Sequence, residues 1–597
     1  MNRLITTSID KTLQKENLIF LGEWCKQTSL EKKIDNQNNN FLPHHWSDKE
    51  KLKRDYKYLT NLNNNLIKLF TQKLNKIHKS NYSEKSWRII LGSWLPLYLS
   101  TMYDRWESLR IFFDKYEKDI ETHSYIIDEN IFYNYGVLDF VEKVVQNDFW
   151  NHKNFIRIID FQYKSKVNVH EDKINIISDL SKKEDFISQR SFLKSILRKI
   201  FVLTDNIFSF VGIRINKIVI ENFYHRKTEL IKILIGSKIF PAFYLNTFNE
   251  NKYKKNLKIE EEERKKFFNS ESYSNDFEKY LFYAFVTDFP VAYLERFELL
   301  KKSNRKLNKL KKDKIFTKVS YIMNERFKLW LAEMVSNKTK LYVGQHGGCL
   351  NTKLNGFLGL DKKIADKVLT WNKTSKTDEI QISPIELFRF KKIKNKNQKN
   401  LLIVNGETAR YPCKIQSHPY AEEYKKSLAG TCKLIKKLKA NIKDKIVYRS
   451  NDLGYKTAEQ IKEKFNEVNT DVFQKTSMKD NLQYSRLAIC TYPETAVSEI
   501  IFAGIPLIIF IPDNLYEFDD DSNEIVEMLK KSKIYFQDPV EAAKHINLIW
   551  EDPLKWWNEK NTVDSIKKFK KFACSTREDW LSEWTNFITS KNDSSKK

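Results

Sequence analysis

The sequence predicts an α/β protein with two Rossmann-like domains facing a cleft and a large helical elaboration of the first half. Three observations lead there. Across residues 314–511, short apolar runs alternate with helical stretches, the pattern of βαβ units that build parallel sheets. Polar segments follow those runs directly, as in GQHGG (344–348), in a chain with only 14 glycines. A length of 597 residues with 41% hydrophobic content is ample for several buried cores.

In chain order, LIFLG (18–22) is a short apolar run ending in glycine, which suits a buried parallel strand. A charged helix is expected over 48–78, and residues 86–116 read as core helices interrupted near Pro96. HSYIID (123–128) and KIVI (217–220) are candidate strands, whereas 249–268, rich in Lys and Glu, reads as a solvated insertion. From KIFTKV (314–319) the alternation is regular: a helix near 324–336, then KLYVGQ (340–345), KVLTWN (367–372) and NLLIVNG (400–406). A helix over 419–440, KIVYRS (445–450), TAEQIKEKF (457–465), RLAICT (486–491), a helix from Thr495 and PLIIFI (506–511) follow. The polar junction KNKNQKN (394–400) divides the chain. Residues 1–390 form an N-terminal α/β domain with helical insertions at about 30–330, residues 391–560 a second Rossmann-like domain, and residues 561–597 a helical tail.

The formal charge of +27 invites a polyanion reading. The excess is mostly Lys spread beside abundant Asn and Ile, which points to codon bias and generic surface charge. No zinc-finger or RNP-type spacing supports nucleic-acid binding. Six cysteines without a CxxC pair suit reduced thiols and a cytoplasmic setting. The charged N-terminal stretch does not read as a secretory signal. The most apolar runs, 89–103 and 499–512, fall short of the roughly 20 residues that span a bilayer. Membrane contact is therefore expected to be peripheral, at the inner face of the cytoplasmic membrane.

Ligands of open parallel sheets bind beyond the carboxyl ends of the strands, which selects GEWC (22–25), GQHGG (344–348), NGETARYP (405–412), RSNDLGY (449–455) and TYPETAVSE (491–499). In GQHGG, Gly347 and Gly348 are expected to take positive φ and bring N–H groups to a ligand, while Gln345 and His346 enter the cleft. His346 suits a phosphate donor or a general base; the plainer alternative is a tight turn. In the last segment, which begins at Thr491, Thr495 is a candidate N-cap that leaves the N–H groups of Ala496 and Val497 for a phosphate. Glu499, one turn on, would accept from ribose hydroxyls, or be an ordinary helix carboxylate. Glu494 is expected to point away from the cleft. Arg449, oriented by Asp452, suits a bidentate phosphate contact or a structural ion pair. Gly406, Glu407 and Thr408 suit a turn that approaches a diphosphate, with Arg410 a weaker cation candidate. Glu23 is a candidate acceptor-side base, and His418 reads as a helix-start residue.

Glu499 followed by Gly504 and Pro506 resembles the nucleotide-sugar site of GT-B glycosyltransferases. More specifically, LITTSID (4–10), WRIILGSWLPLYL (87–99), YLERF (293–297), GQHGG, YRSNDLGY (448–455), SRLAICTYPETAVSEIIFAGIPLIIF (485–510) and AAKHINLIWEDPLKWW (542–557) together resemble a family of transferases of bacterial O-antigen and surface-polysaccharide biosynthesis. That pattern continues QHGG with an aromatic residue and glycine, where Cys349, Leu350 and Asn351 stand here. The resemblance implies a GT-B-like fold and transfer from a nucleotide-sugar donor, a substrate rather than a cofactor, to a glycan or lipid-linked acceptor. It also implies C-terminal helices that cross back to the first half and bury Trp550, Trp556, Trp557, Trp580 and Trp584. Asp519, Asp520 and Asp521 lie in a charge run rather than at a strand end, so no metal is expected. The alternatives are a polyol-phosphate transferase using a CDP-activated donor and a noncatalytic basic protein that binds polyanions.

Overall fold

The computed structural model describes residues 2–9, 17–26, 40–117, 119–172, 192–223, 227–269, 273–391, 393, 398–451, 454–473, 475–513 and 515–590. The first sheet holds β1 (Asn2–Ile5), β2 (Leu18–Phe20), β3 (Asn40–Phe41), β4 (Ile120–Tyr125) and β5 (Val167–Asp172) in the order β3-β2-β1-β4-β5. The second holds β6 (Ile218–Glu221), β7 (Lys314–Thr317), β8 (Lys340–Gly344), β9 (Lys367–Thr370) and β10 (Glu379–Gln381), in sequential order across the sheet. The third holds β11 (Asn400–Asn405), β12 (Ile446–Ser450), β13 (Asn469–Val472), β14 (Ser485–Cys490), β15 (Leu507–Phe510) and β16 (Tyr535–Phe536), ordered β13-β12-β11-β14-β15-β16. Neighbouring strands pair in parallel throughout.

The second and third sheets form the α/β pair anticipated from the alternating half. The first half, read as one sheet with insertions, instead carries two sheets. The physical reason is local: β1 to β3 are only four, three and two residues long, and β4 (IETHSY) and β5 (VNVHED) lack an apolar run. The second sheet shows why parallel strands read as continuous apolar segments. Val219, Ile315, Leu341 and Val343 face the large N-terminal core, while Ile220, Phe316 and Tyr342 face a separate cluster on the other side.

Helix limits follow their caps. The Lys49–Ile77 helix starts at Asp48, whose carboxylate accepts from the N–H groups of Glu50 and Lys51. Pro96 opens the Leu95–Lys115 helix, at a position where its missing N–H is harmless. The stretch expected to be solvated is anchored: Arg264, on the Glu261–Phe268 helix, is buried against Glu295 and the carbonyls of Val286 and Phe289. The tail returns to the second sheet through the Trp580–Thr589 helix, where Trp584 packs on Phe223 and Lys314 donates to the carbonyls of Ile588 and Ser590. Trp550, Trp556 and Trp557 are buried in the third sheet's core. Among the described residues no helix is long and apolar enough to cross a membrane.

Candidate functional site

The carboxyl end of β8 faces that of β14. Gln345 does not reach into the space between them. Its carbonyl accepts from Thr370 Oγ1 and the Trp371 N–H, both at 2.8 Å, and its amide donates to the Gly347 carbonyl at 3.0 Å, so it shapes the loop. The next two glycines serve different needs. Gly348 has φ +97°, as expected, but Gly347 does not lie in the left-handed region. A Cβ on Gly347 would stand 2.3 Å from Thr495 Oγ1, so close approach excludes a side chain there. Thr495 Oγ1 in turn accepts from the Gly348 N–H at 2.8 Å. Cys349 Sγ donates to the Pro493 carbonyl, and Cys349 and Leu350 are buried in the third sheet's core.

The helix after β14 is Thr495–Ala503, and its N-cap is Glu494 rather than Thr495. Because the Thr495 hydroxyl is engaged by the loop, it does not cap the helix. The Val497 N–H closes onto the Glu494 carbonyl, so Thr495 and buried Ala496 hold the first-turn N–H groups that the helix itself leaves unpaired. Thr491 is locked at the sheet, donating to Asn405 Oδ1 at 2.7 Å. Glu499, one turn along, is buried and paired with Arg389 from the segment that links the two sheets. Burial raises its pKa; Arg389 and then Arg449 oppose that rise.

His346 is solvent-accessible on one side. Partial burial on the other side, then Lys318 and Lys414, lower its pKa below the usual imidazole value. It is therefore largely neutral near pH 7, the form that can accept a proton. Glu494 faces the same region and does not point away: its Oε2 would lie 3.4 Å from a Cβ on Gly348, and its carboxylate is 3.9 Å from His418 Nε2. Burial pushes Glu494 up to about 7, against the opposing charge of Lys414. Burial, then Lys414, lowers His418 to about 4.

The sequence reading did not single out the groups at the ends of β6 and β7. Glu221 accepts from Ser320 Oγ at 2.7 Å and Thr317 Oγ1 at 3.3 Å, and burial raises its pKa to about 7. Lys318, buried between the rings of Phe223 and Trp371, pairs with Glu386. A charged residue at a strand end, the signal used for Glu23 and Arg449, would have found both.

The remaining expected residues lie elsewhere or are occupied. Arg449 pairs with Asp471 on the neighbouring strand, where the two positions are in register, and donates to Thr476 Oγ1 at 3.1 Å. Asp452 lies outside the described residues. Gly406 sits under the Tyr492 ring, where a Cβ would approach to 2.8 Å. Glu407 is buried and accepts from Ser450, Tyr455 and Thr457, tying down the loop after β12. Its carboxylate is therefore engaged within the fold. Thr408 Oγ1 is buried with no hydrogen-bond partner. Glu23 pairs with Lys26 and Lys425 where the first and third sheets meet. Arg410 pairs with Asp148 in the same interface.

Among the described residues one group has metal-ligand geometry, with ligand atoms of His44, His45 and Asp104 all within 4.8 Å of one another. Both imidazole Nε2 atoms converge on Asp104 Oδ1, at 2.6 and 3.2 Å, and Arg105 holds Oδ2 at 2.6 Å. Burial alone would raise the Asp104 carboxyl, but His44 and Arg105 hold it well below the usual carboxylate range. The guanidinium supplies a positive charge beside the carboxylate, and the four side chains form a buried hydrogen-bonded network.

The model of the LIC12162 family of transferases matches residues 2–588, which takes in all three sheets and nearly all of the returning helix. The chain belongs to that family. No curated protein matches this member's sequence. Solved structures with a similar trace include TarM, at TM-score 0.31 and 14% identity, over 48% of this chain and 57% of that one. The wall teichoic acid polymerase TagF is similar at TM-score 0.31 and 11% identity, over 66% of this chain and 96% of that one. MurG of Acinetobacter baumannii is similar at TM-score 0.28 and 13% identity, over 49% and 78%. At such distances these likenesses carry no activity across.

Proposed function

We propose that this transferase is a glycosyltransferase that moves a sugar from a nucleotide-sugar donor to a glycan or lipid-linked acceptor in assembly of a bacterial surface polysaccharide of the O-antigen type. The observation that carries the reading is the junction of the QHGG loop with the Thr495–Ala503 helix, which brings the loop that carries His346 against the helix N-terminus. The donor diphosphate accepts from the N–H groups of Thr495 and Ala496, where the helix dipole favours negative charge. Glu499, beside Arg389, takes the ribose hydroxyls. His346 removes the acceptor hydroxyl proton as that oxygen bonds to the sugar's anomeric carbon, and the bond from that carbon to the phosphate oxygen breaks.

A thermal-shift panel of UDP-, GDP-, CDP- and CMP-linked donors tests the reading. One nucleotide class should raise the melting temperature, and Glu499→Ala should weaken that binding by about 1–3 kcal/mol, the scale of a hydrogen bond to a charged group. Preference for a CDP-linked polyol would move the assignment to polyol-phosphate transfer. Indifference to every nucleotide, with salt-sensitive polyanion binding, would make the chain a noncatalytic binder.

A further inference from the structure

The Phe192–Ile215 helix is packed inside out. Apart from Ile213, which is buried in the N-terminal core, the side it turns to the protein carries polar and small residues: Asp205 and Ser209 are each 3% exposed and Asn216, just past the helix, 6%. Asp205 accepts from the N–H groups of Phe243 and Leu245 at 2.9 and 3.0 Å, and Ser209 Oγ accepts from the Tyr244 N–H at 2.8 Å. Asn216 exchanges hydrogen bonds with both the N–H and the carbonyl of Phe240. Gly212 lets the helix approach Ala242, where a Cβ would come within 2.6 Å of the alanine's own. The opposite face is apolar and open: Ile200, Leu203, Ile207 and Phe210 are 56–65% exposed, at the spacing of one helical stripe. A surface helix ordinarily does the reverse, and an exposed apolar stripe of this length marks an interaction surface.

The charge around the stripe selects the partner. Between residues 199 and 217 the one acid, Asp205, is buried, while Lys199, Arg214 and Lys217 are exposed. Arg214 lies over the Phe210 ring at 3.4 Å, and both line a cavity of about 290 Å³ with Lys306. A two-fold contact between copies would set these cations against one another, whereas an anionic lipid surface complements them.

We propose that this helix docks the protein on an anionic lipid bilayer, lying in the interface with its apolar stripe among the acyl chains and its cations at the headgroups. The inference is independent of which group the enzyme transfers. The hydrogen bonds of Asp205, Ser209 and Asn216 fix the helix's roll angle, so the stripe is held outward before the membrane is met.

Flotation of the full chain with phosphatidylcholine vesicles, with and without phosphatidylglycerol, tests this. Wild type should float with the anionic vesicles and be released by high salt; a Leu203→Asp/Phe210→Asp variant of unchanged melting temperature should bind at least tenfold more weakly, and Arg214→Glu should also bind more weakly. Hydrogen exchange of the wild type needs no variant: amides of residues 200–215 should slow when anionic vesicles are added. The proposal is overturned if wild type fails to float, if the double variant floats equally, or if those amides are unchanged. Self-association in sedimentation that Leu203→Asp abolishes, without vesicle binding, would make the stripe a protein interface and overturn it too.

Discussion

The third sheet meets the first and second sheets in different ways. Against the first, charges are paired and filled: Arg410 with Asp148, Lys425 with Glu23, Lys49 with Glu423, and Arg105 between Asp104 and the Pro412 carbonyl. Against the second, the junction includes the Gly348 N–H on Thr495 Oγ1 and the Cys349 thiol on the Pro493 carbonyl, beside groups whose proton affinities burial has displaced. Polar groups that satisfy one another hold a geometry but keep little capacity for a ligand. Displaced proton affinities in a cleft mark where charge can still be taken up.

Substitutions on each side should separate these roles. The largest effect is expected at His346: His346→Ala should lower kcat by about 10²- to 10⁴-fold if the imidazole moves a proton. Its accessibility keeps the change in stability within about 0.5 kcal/mol. A fall confined to KM would instead make it a ground-state contact. Asp104→Ala should do the opposite, costing about 3–5 kcal/mol in denaturant unfolding because Arg105 and His44 are left buried without their anion. If Asp104→Ala is as stable as wild type, the contrast between the interfaces fails.

Gly347→Ala is expected to act by collision. The new Cβ meets Thr495 Oγ1, so donor affinity should fall by about 1–2 kcal/mol, within the range for overpacking. Thr495→Ala should recover part of that loss in the double variant, read by a thermodynamic cycle. Additive losses would show that the two residues do not meet.

The last test concerns pH. Glu221 has a folded pKa of about 7, above the 4.5 of an unperturbed glutamate, so the folded state holds its proton more tightly. Its relative stabilisation is complete below about pH 4.5 and is lost as pH rises through about 7. The difference in unfolding free energy between wild type and Glu221→Gln should therefore drift by about 3 kcal/mol at most over that window, with wild type losing ground. A flat difference would place the carboxyl in a wetter setting.

The contrast also explains what the sequence revealed. β7, β8, β11, β12, β14 and β15 are buried, largely apolar runs, and the polar segments after β8, β11, β12 and β14 do follow strand ends. The partners across the sheets were not legible, since Gly347 meets Thr495 from 148 positions away and Arg410 meets Asp148 from 262. The Arg449 side chain illustrates the limit: its strand was evident, but its partner Asp471 depends on the register of β13, whose four residues NTDV give no apolar signal.

The short crossing after Gly348 has a mechanical consequence. The chain leaves β8, lodges Cys349 and Leu350 in the other domain's core, bonds Asn351 and Lys353 to the segment at 517–522, and only then returns to β9. His346 is thus threaded through a strap belonging to both bodies. Were the two bodies to swing apart, the imidazole would travel with the helix it adjoins, and the bending would fall on the few bonds between Gly344 and Gly347.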